Sequence, residues 1–210
     1  METLGSTERA IVFDLWGTLA RKGIDISDGL KSMFDLGHIP DFERQYEEAL
    51  QTRAWVCQHT MAEQFLTRFQ LTHTPASIQQ VLSVFQEGIS GAELLPGMIE
   101  ITRALKPRFR LGLLSNTTDI ESTVTDRWRL NELFDTVMFS WQIGTLKPAP
   151  ESFLTLCRAM EIEPKHTLMI DDSAPNIAQA TALGMDAILF IDAQLLRTAL
   201  RNRGLLQRAD

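Results

Sequence analysis

No apolar run approaches the 18 or so residues that a membrane span needs, so the chain is not expected to cross a bilayer. Residues 1–9, METLGSTER, lack the basic start and apolar stretch of a signal peptide, and a cytoplasmic location is the expectation. Cysteine is scarce. Cys57 and Cys157 lie too far apart for a disulfide framework or a CxxC metal site, and both are expected as reduced, mostly buried thiols. Positive charge is in deficit, with 20 Lys and Arg against 27 Asp and Glu and a net charge of −7. That balance lacks the basic footprint of a nucleic-acid binder, so neither nucleic acid nor membrane is an expected partner. The four histidines, His38, His59, His73 and His166, show no metal-ligand spacing and read as surface or packing residues. Internal repeats and low-complexity tracts are also missing.

What is present is ordinary globular material, 44% hydrophobic and 22% charged, in 210 residues. That length suits one domain, or one domain carrying a modest insertion. Short apolar runs without alternation fit strands covered on both faces. They occur at Ala10–Phe13, Phe109–Leu114, Thr136–Phe139, Thr167–Ile170 and Ala187–Ile191. Helical patterns lie between them. One follows Pro96–Gly97 and includes Glu100–Leu105; another opens on a capping box of Thr118 and Glu121. Pro150 suits the first turn of a helix that covers Ser152–Met160. Ala174–Leu183 stops at Gly184, and Asp192 opens a helix that stops at Gly204. Strands alternating with helices predict an α/β fold with a Rossmann-like parallel sheet.

Residues 20–94 break the alternation and read as an all-helical insertion. Asp41 can cap a helix carrying Phe42, Tyr46, Ala49 and Leu50. Another helix includes Phe65, Leu66 and Phe69, and Thr74–Pro75 opens one with Ile78, Val81, Leu82 and Phe85 on one face. The expected division is therefore a core of residues 1–19 and 95–210 with a helical block of 20–94 inserted after the first strand.

Ligands of open parallel sheets bind beyond the carboxyl ends of the strands. Here those ends carry Asp14, then Ser115-Asn116, then Lys147 after the third strand, then Asp171-Asp172. Each alone reads as a cap or turn; four in succession point to one site. With Phe13-Asp14-Leu15-Trp16-Gly17-Thr18-Leu19, Leu114-Ser115-Asn116-Thr117, Lys147-Pro148-Ala149-Pro150-Glu151 and Met169-Ile170-Asp171-Asp172, the chain resembles the haloacid dehalogenase superfamily over about residues 11–186. Magnesium-dependent phosphatases dominate that superfamily, and the insertion falls where its C1-type cap lies.

The resemblance implies a hydrolase acting on a small phosphorylated substrate. It makes Asp14 the nucleophile that forms an aspartyl-phosphate. Ser115, Asn116 and Lys147 would hold the phosphate, with amides at the following helix start assisting Ser115. Mg²⁺ would be held by Asp14, the backbone carbonyl of Trp16 and Asp172, with Asp171 as a further ligand or outer partner. Electrostatics agrees, since like charges about 4 Å apart repel by roughly 4 kcal/mol at an effective dielectric near 20, and a hard cation relieves this. Arg21 and Lys22, just beyond the first motif, read as a solvated hinge.

One residue departs from the pattern. Phosphatases of the superfamily carry a second Asp two positions after the nucleophile, as general acid and base, and this chain has Trp16 there. An indole offers one N–H donor and no titratable group. Three readings stay open: a phosphatase with another proton source, a metal-independent 2-haloacid dehalogenase whose halide leaving group needs no proton, and a binding or regulatory module that has lost turnover.

Overall fold

The computed structural model describes residues 10–207. The reading of residues 1–9 falls outside them. In chain order the elements are β1 (Ala10–Phe13), β2 (Ala20–Arg21), α1 (Ile26–Met33), α2 (Phe42–Leu50), α3 (Gln58–Arg68), α4 (Pro75–Ser90), β3 (Glu93–Leu94) and α5 (Met98–Leu105). They continue with β4 (Arg110–Ser115), α6 (Asp119–Ser122), α7 (Val124–Arg127), α8 (Leu130–Leu133), β5 (Thr136–Phe139) and α9 (Ser140–Ile143). Last come α10 (Pro150–Ala159), β6 (Thr167–Asp171), α11 (Ala174–Ala182), β7 (Asp186–Leu189) and α12 (Ala193–Asn202).

Five strands form one parallel sheet in the order β5-β4-β1-β6-β7. Strand β1 is central, and all four of its residues are fully buried. Its side chains alternate between two cores. Ile11 and Phe13 pack with α5 and α12, while Ala10 and Val12 pack with α10 and α11. Burial on both faces is why its sequence is apolar without a break. From β1 the chain moves outward through β4 and β5, then returns to the other side through β6 and β7. The carboxyl ends of β4, β1 and β6 thus meet at the reversal point where such sheets bind ligands.

Helices α1–α4 share a separate hydrophobic cluster, with Tyr46, Phe65, Leu66 and Val81 among its buried members. Thr74 caps α4 through a reciprocal box with Ser77, as its Thr-Pro start predicts. Asp41 behaves otherwise. It precedes α2 in a left-handed conformation (φ 49°) and its side chain makes no capping bond. Nor is the 20–94 segment wholly helical, because Ala20–Arg21 pairs antiparallel with Glu93–Leu94 where it leaves and rejoins the sheet domain. Two residues on each side are too few to give a strand pattern in sequence. Strand β7 also starts one residue earlier and ends two earlier than its apolar run. Cys157 is buried as expected, whereas Cys57 is exposed; both are free thiols. No helix among the described residues is long and apolar enough to cross a membrane.

Candidate active site

Asp14 follows β1 directly, and its amide extends the ladder by donating to the Ile170 carbonyl at 2.9 Å. The next residues turn tightly, with the Leu15 carbonyl accepting from Leu19 and Ala20 at 2.9 Å each. Gly17 makes this possible. Its φ of +83° suits glycine, and a Cβ there would lie 2.1 Å from Asp172 Oδ2. The turn is therefore packed against the acidic pair at the end of β6, and only a hydrogen at this position leaves room for that carboxylate.

Lys147 closes the site from the connection between α9 and α10, beyond β5, the third strand of the sheet in chain order. Its Nζ donates to Asp14 Oδ1 at 2.7 Å and to Asp171 Oδ2 at 2.6 Å, and its side chain is 2% exposed. Burial presses this ammonium toward neutrality, but Asp14 and Asp171 outweigh it and hold its pKa above the usual lysine value. Asp14 feels the opposite pressure. Burial pushes its carboxyl up to about 7 against the pull of Lys147, with Asp171 and Asp172 adding repulsion. Asp172 is also raised, by burial first and Asp171 second.

One ligand oxygen from each of Asp14, Asp171 and Asp172 can be chosen so that all lie within 4.8 Å of one another. Three carboxylates and one ammonium leave a formal charge of −2 in a largely buried place. A divalent cation with oxygen ligands matches both the charge and the donor type. Asp171 is otherwise well satisfied, since its Oδ1 accepts from the Ser173 amide at 2.8 Å and from Asn176 Nδ2 at 3.0 Å. Asp172 is exposed at the cavity wall.

The cavity is about 630 Å³ and is lined from both sides, by Asp14, Ser115, Lys147 and Asp172 of the sheet domain and by Tyr46 and Glu47 of the helical block. Ser115 is buried at its floor. Asn116 also lines it, but its side chain braces Lys147: Nδ2 donates to the Lys147 carbonyl at 2.9 Å and Oδ1 accepts from the Lys147 amide at 2.8 Å. These two hydrogen bonds tie the Asn116 side chain to the backbone of the residue that pairs with Asp14. Three amides around the start of α6 have partners within the protein. The Thr117 amide donates to Ser140 Oγ at 3.0 Å, Thr118 to Glu121 Oε2 at 3.1 Å, and Glu121 to Thr118 Oγ1 at 3.0 Å. The capping box expected of Thr118 and Glu121 is present.

Trp16 lines the cavity half-buried. Its Nε1 donates to Thr117 Oγ1 at 3.1 Å, and its ring meets Trp128 edge-on at 6.3 Å between centroids. Lys22 Nζ stands 5.2 Å from the Trp16 ring and pairs with buried Glu121 at 2.5 Å. Lys22 is thus no solvated hinge residue; its side chain is 17% exposed. Arg21 is exposed and pairs with Glu93 across the β2–β3 ribbon. The lining residues Tyr46, Glu47 and Gln51 were missed in the sequence reading, because a helical period shows that a face is covered and not what covers it.

The family model for haloacid dehalogenase-like hydrolases matches residues 8–184. The chain is 27% identical over 117 residues to flavin mononucleotide hydrolase 1 of Arabidopsis thaliana chloroplasts, covering 55% of this chain and 48% of that protein. It is 30% identical over 89 residues to D-ribitol-5-phosphate phosphatase of Bacteroides thetaiotaomicron, covering 39% of this chain and 43% of the relative. The chain thus spans about half the length of the curated relatives it matches. Among solved structures, a HAD family enzyme of Bacteroides thetaiotaomicron in complex with magnesium and inorganic phosphate superposes with a TM-score of 0.66 at 19% identity, covering 88% of this chain and 95% of that one. With its parallel sheet, four strand-end motifs and a family match over most of its length, the chain belongs to the haloacid dehalogenase-like hydrolases.

Proposed function

We propose that the chain is a magnesium-dependent phosphatase of a small, polar phosphorylated metabolite, with Asp14 as nucleophile. The observation that carries this reading is the buried triad of Lys147, Asp14 and Asp171 at the mouth of β1, facing a cavity that Asp172 also lines. The likeness to phosphatases and to a fold relative solved with magnesium and phosphate supports it.

Lys147 holds one Asp14 oxygen and fixes the carboxylate's orientation; the other oxygen attacks phosphorus and forms the aspartyl-phosphate. Ser115 offers its hydroxyl to a phosphoryl oxygen. Mg²⁺, held by Asp14, Asp172 and the Trp16 carbonyl with Asp171 in support, would supply the charge that lets a dianionic ester approach the acids. Asn116 keeps Lys147 in place through the two backbone bonds described above. Residues 20–94 act as the cap and shape the substrate side of the cavity. Tyr46 and Gln51, both buried, line the helical side of the cavity and bring a hydroxyl and an amide to it. Buried polar groups facing a cavity suit a substrate carrying hydroxyl or amide groups.

The test is phosphate release from 4-nitrophenyl phosphate. The expected result is turnover that needs Mg²⁺, stops with EDTA and falls at least about 10³-fold in Asp14→Asn. Equal rates for wild type and Asp14→Asn would refute the reading. Trp16 favours a second possibility, cleavage of a carbon–halogen bond, for which halide release from 2-chloropropionate should persist in EDTA.

A further inference from the structure

Trp16 takes a proton donor away from the turn after β1, and its one N–H is spent on Thr117. The strand-end carboxylates are engaged as well, Asp14 and Asp171 with Lys147, and Asp172 in the acidic cluster. On the opposite wall, Asp25 caps α1 through the Asp28 amide at 2.9 Å and accepts from Ser27 at 2.8 Å. Glu43 is exposed. Glu47 remains. It sits in the middle of α2, beside Tyr46, and lines the cavity with Asp14, Asn116 and Lys147.

We propose that Glu47, reaching across from the helical block, is the general acid and base that Trp16 cannot be. The assignment rests on the phosphatase reading above. In the first step Asp14 bonds to phosphorus as the ester P–O bond breaks, and the Glu47 carboxyl gives its proton to the departing alkoxide, which leaves as the alcohol. In the second step the Glu47 carboxylate takes a proton from water as that water's oxygen bonds to phosphorus. The Asp14–phosphorus bond breaks, inorganic phosphate departs and Glu47 is protonated again.

The surroundings suit both states. Burial pushes the Glu47 carboxyl up to about 7 and Glu43 on the same helix adds to this, while the Asn116 amide and the charges of Lys22 and Lys147 pull it back. A group that is half-protonated near neutral pH serves equally as donor and acceptor.

The test uses three esters of rising leaving-group basicity: 2,4-dinitrophenyl, 4-nitrophenyl and phenyl phosphate. Release of the phenol is followed in a single turnover with Mg²⁺, which isolates the first step. In Glu47→Gln the loss should grow along the series, reaching about 10²–10⁴-fold on phenyl phosphate. The fall of wild-type kcat/KM above about pH 7 should disappear with it, as expected when the lost group is the acid. Glu47→Asp should keep part of the rate, and adding Trp16→Asp to Glu47→Gln should restore part of it. An equal loss on all three esters, or none on phenyl phosphate, overturns the assignment of Glu47 and leaves the phosphatase reading standing. If wild type cleaves none of the three with Mg²⁺, the phosphatase reading fails and takes the assignment with it.

Discussion

Lys147 stands between two carboxylates where water scarcely reaches, so its removal strands their charge. Lys147→Met should destabilise the metal-free protein by about 3–5 kcal/mol, the usual cost of breaking a buried pair from one side. Mg²⁺ should raise the stability of this variant more than that of wild type, because the cation then supplies all of the missing positive charge. Chemical denaturation with and without Mg²⁺ reads both effects. Asp14, Ser115, Lys147, Asp171 and Asp172 were legible as candidates because they lie at or beyond the carboxyl ends of strands in one parallel sheet. Asn116 was legible as a site position but not as a brace, since its partner is the backbone of a residue 31 positions away. Glu47 gave no signal at all. An acidic residue on an amphipathic helix looks like a solvated face until the packing of that helix is known.

The turn from β1 to β2 and the box that opens α6 are where local rules and site geometry meet. Gly17→Ala should cost about 1–2 kcal/mol for the left-handed backbone. The new methyl must also displace Asp172, so Mg²⁺ affinity should fall about 10–100-fold, as when a ligand's support is disturbed. Titration calorimetry tests this; unchanged affinity would mean that Asp172 does not need its position beside Gly17. Helix and strand positions in the sheet domain were largely readable, because caps such as Asp192 and stops such as Gly184 and Gly204 are local signals. The misreadings have local causes too. The Asp41 backbone turns left-handed, so its side chain does not cap α2, and the β2–β3 ribbon is set by long-range pairing over only two residues. Thr118 and Glu121 were read correctly as a box, yet Lys22 reaches the same glutamate and joins it to the motif turn.

The molecule brings a sheet with a hydrophobic cluster on each face and a helical block with its own cluster around one cavity, and burying carboxyls there affects its stability. Glu47 has an ordinary value of 4.5 and is raised to about 7 in the fold. Below pH 4.5 both folded and unfolded chains hold its proton; between 4.5 and 7 the folded chain keeps a proton that the unfolded chain has released. Its contribution to stability is therefore lost as pH rises through 7. Glu47→Gln should flatten that decline and be the more stable protein at pH 8, measured by thermal melts across pH 4–8; a steeper decline would contradict the burial of this carboxyl. The α/β architecture was legible because alternation of strand and helix leaves few arrangements open. The cavity was not, since it exists only between elements far apart in sequence. The central claim is that Asp14 carries the phosphoryl group during turnover. The direct measurement is acid quenching of the enzyme with a phosphorus-labelled aryl phosphate and Mg²⁺, followed by mass spectrometry of its peptides. One phosphoryl group on the peptide containing Asp14, absent in Asp14→Asn, is the predicted result; release of phosphate with no label on that peptide at any time would contradict it.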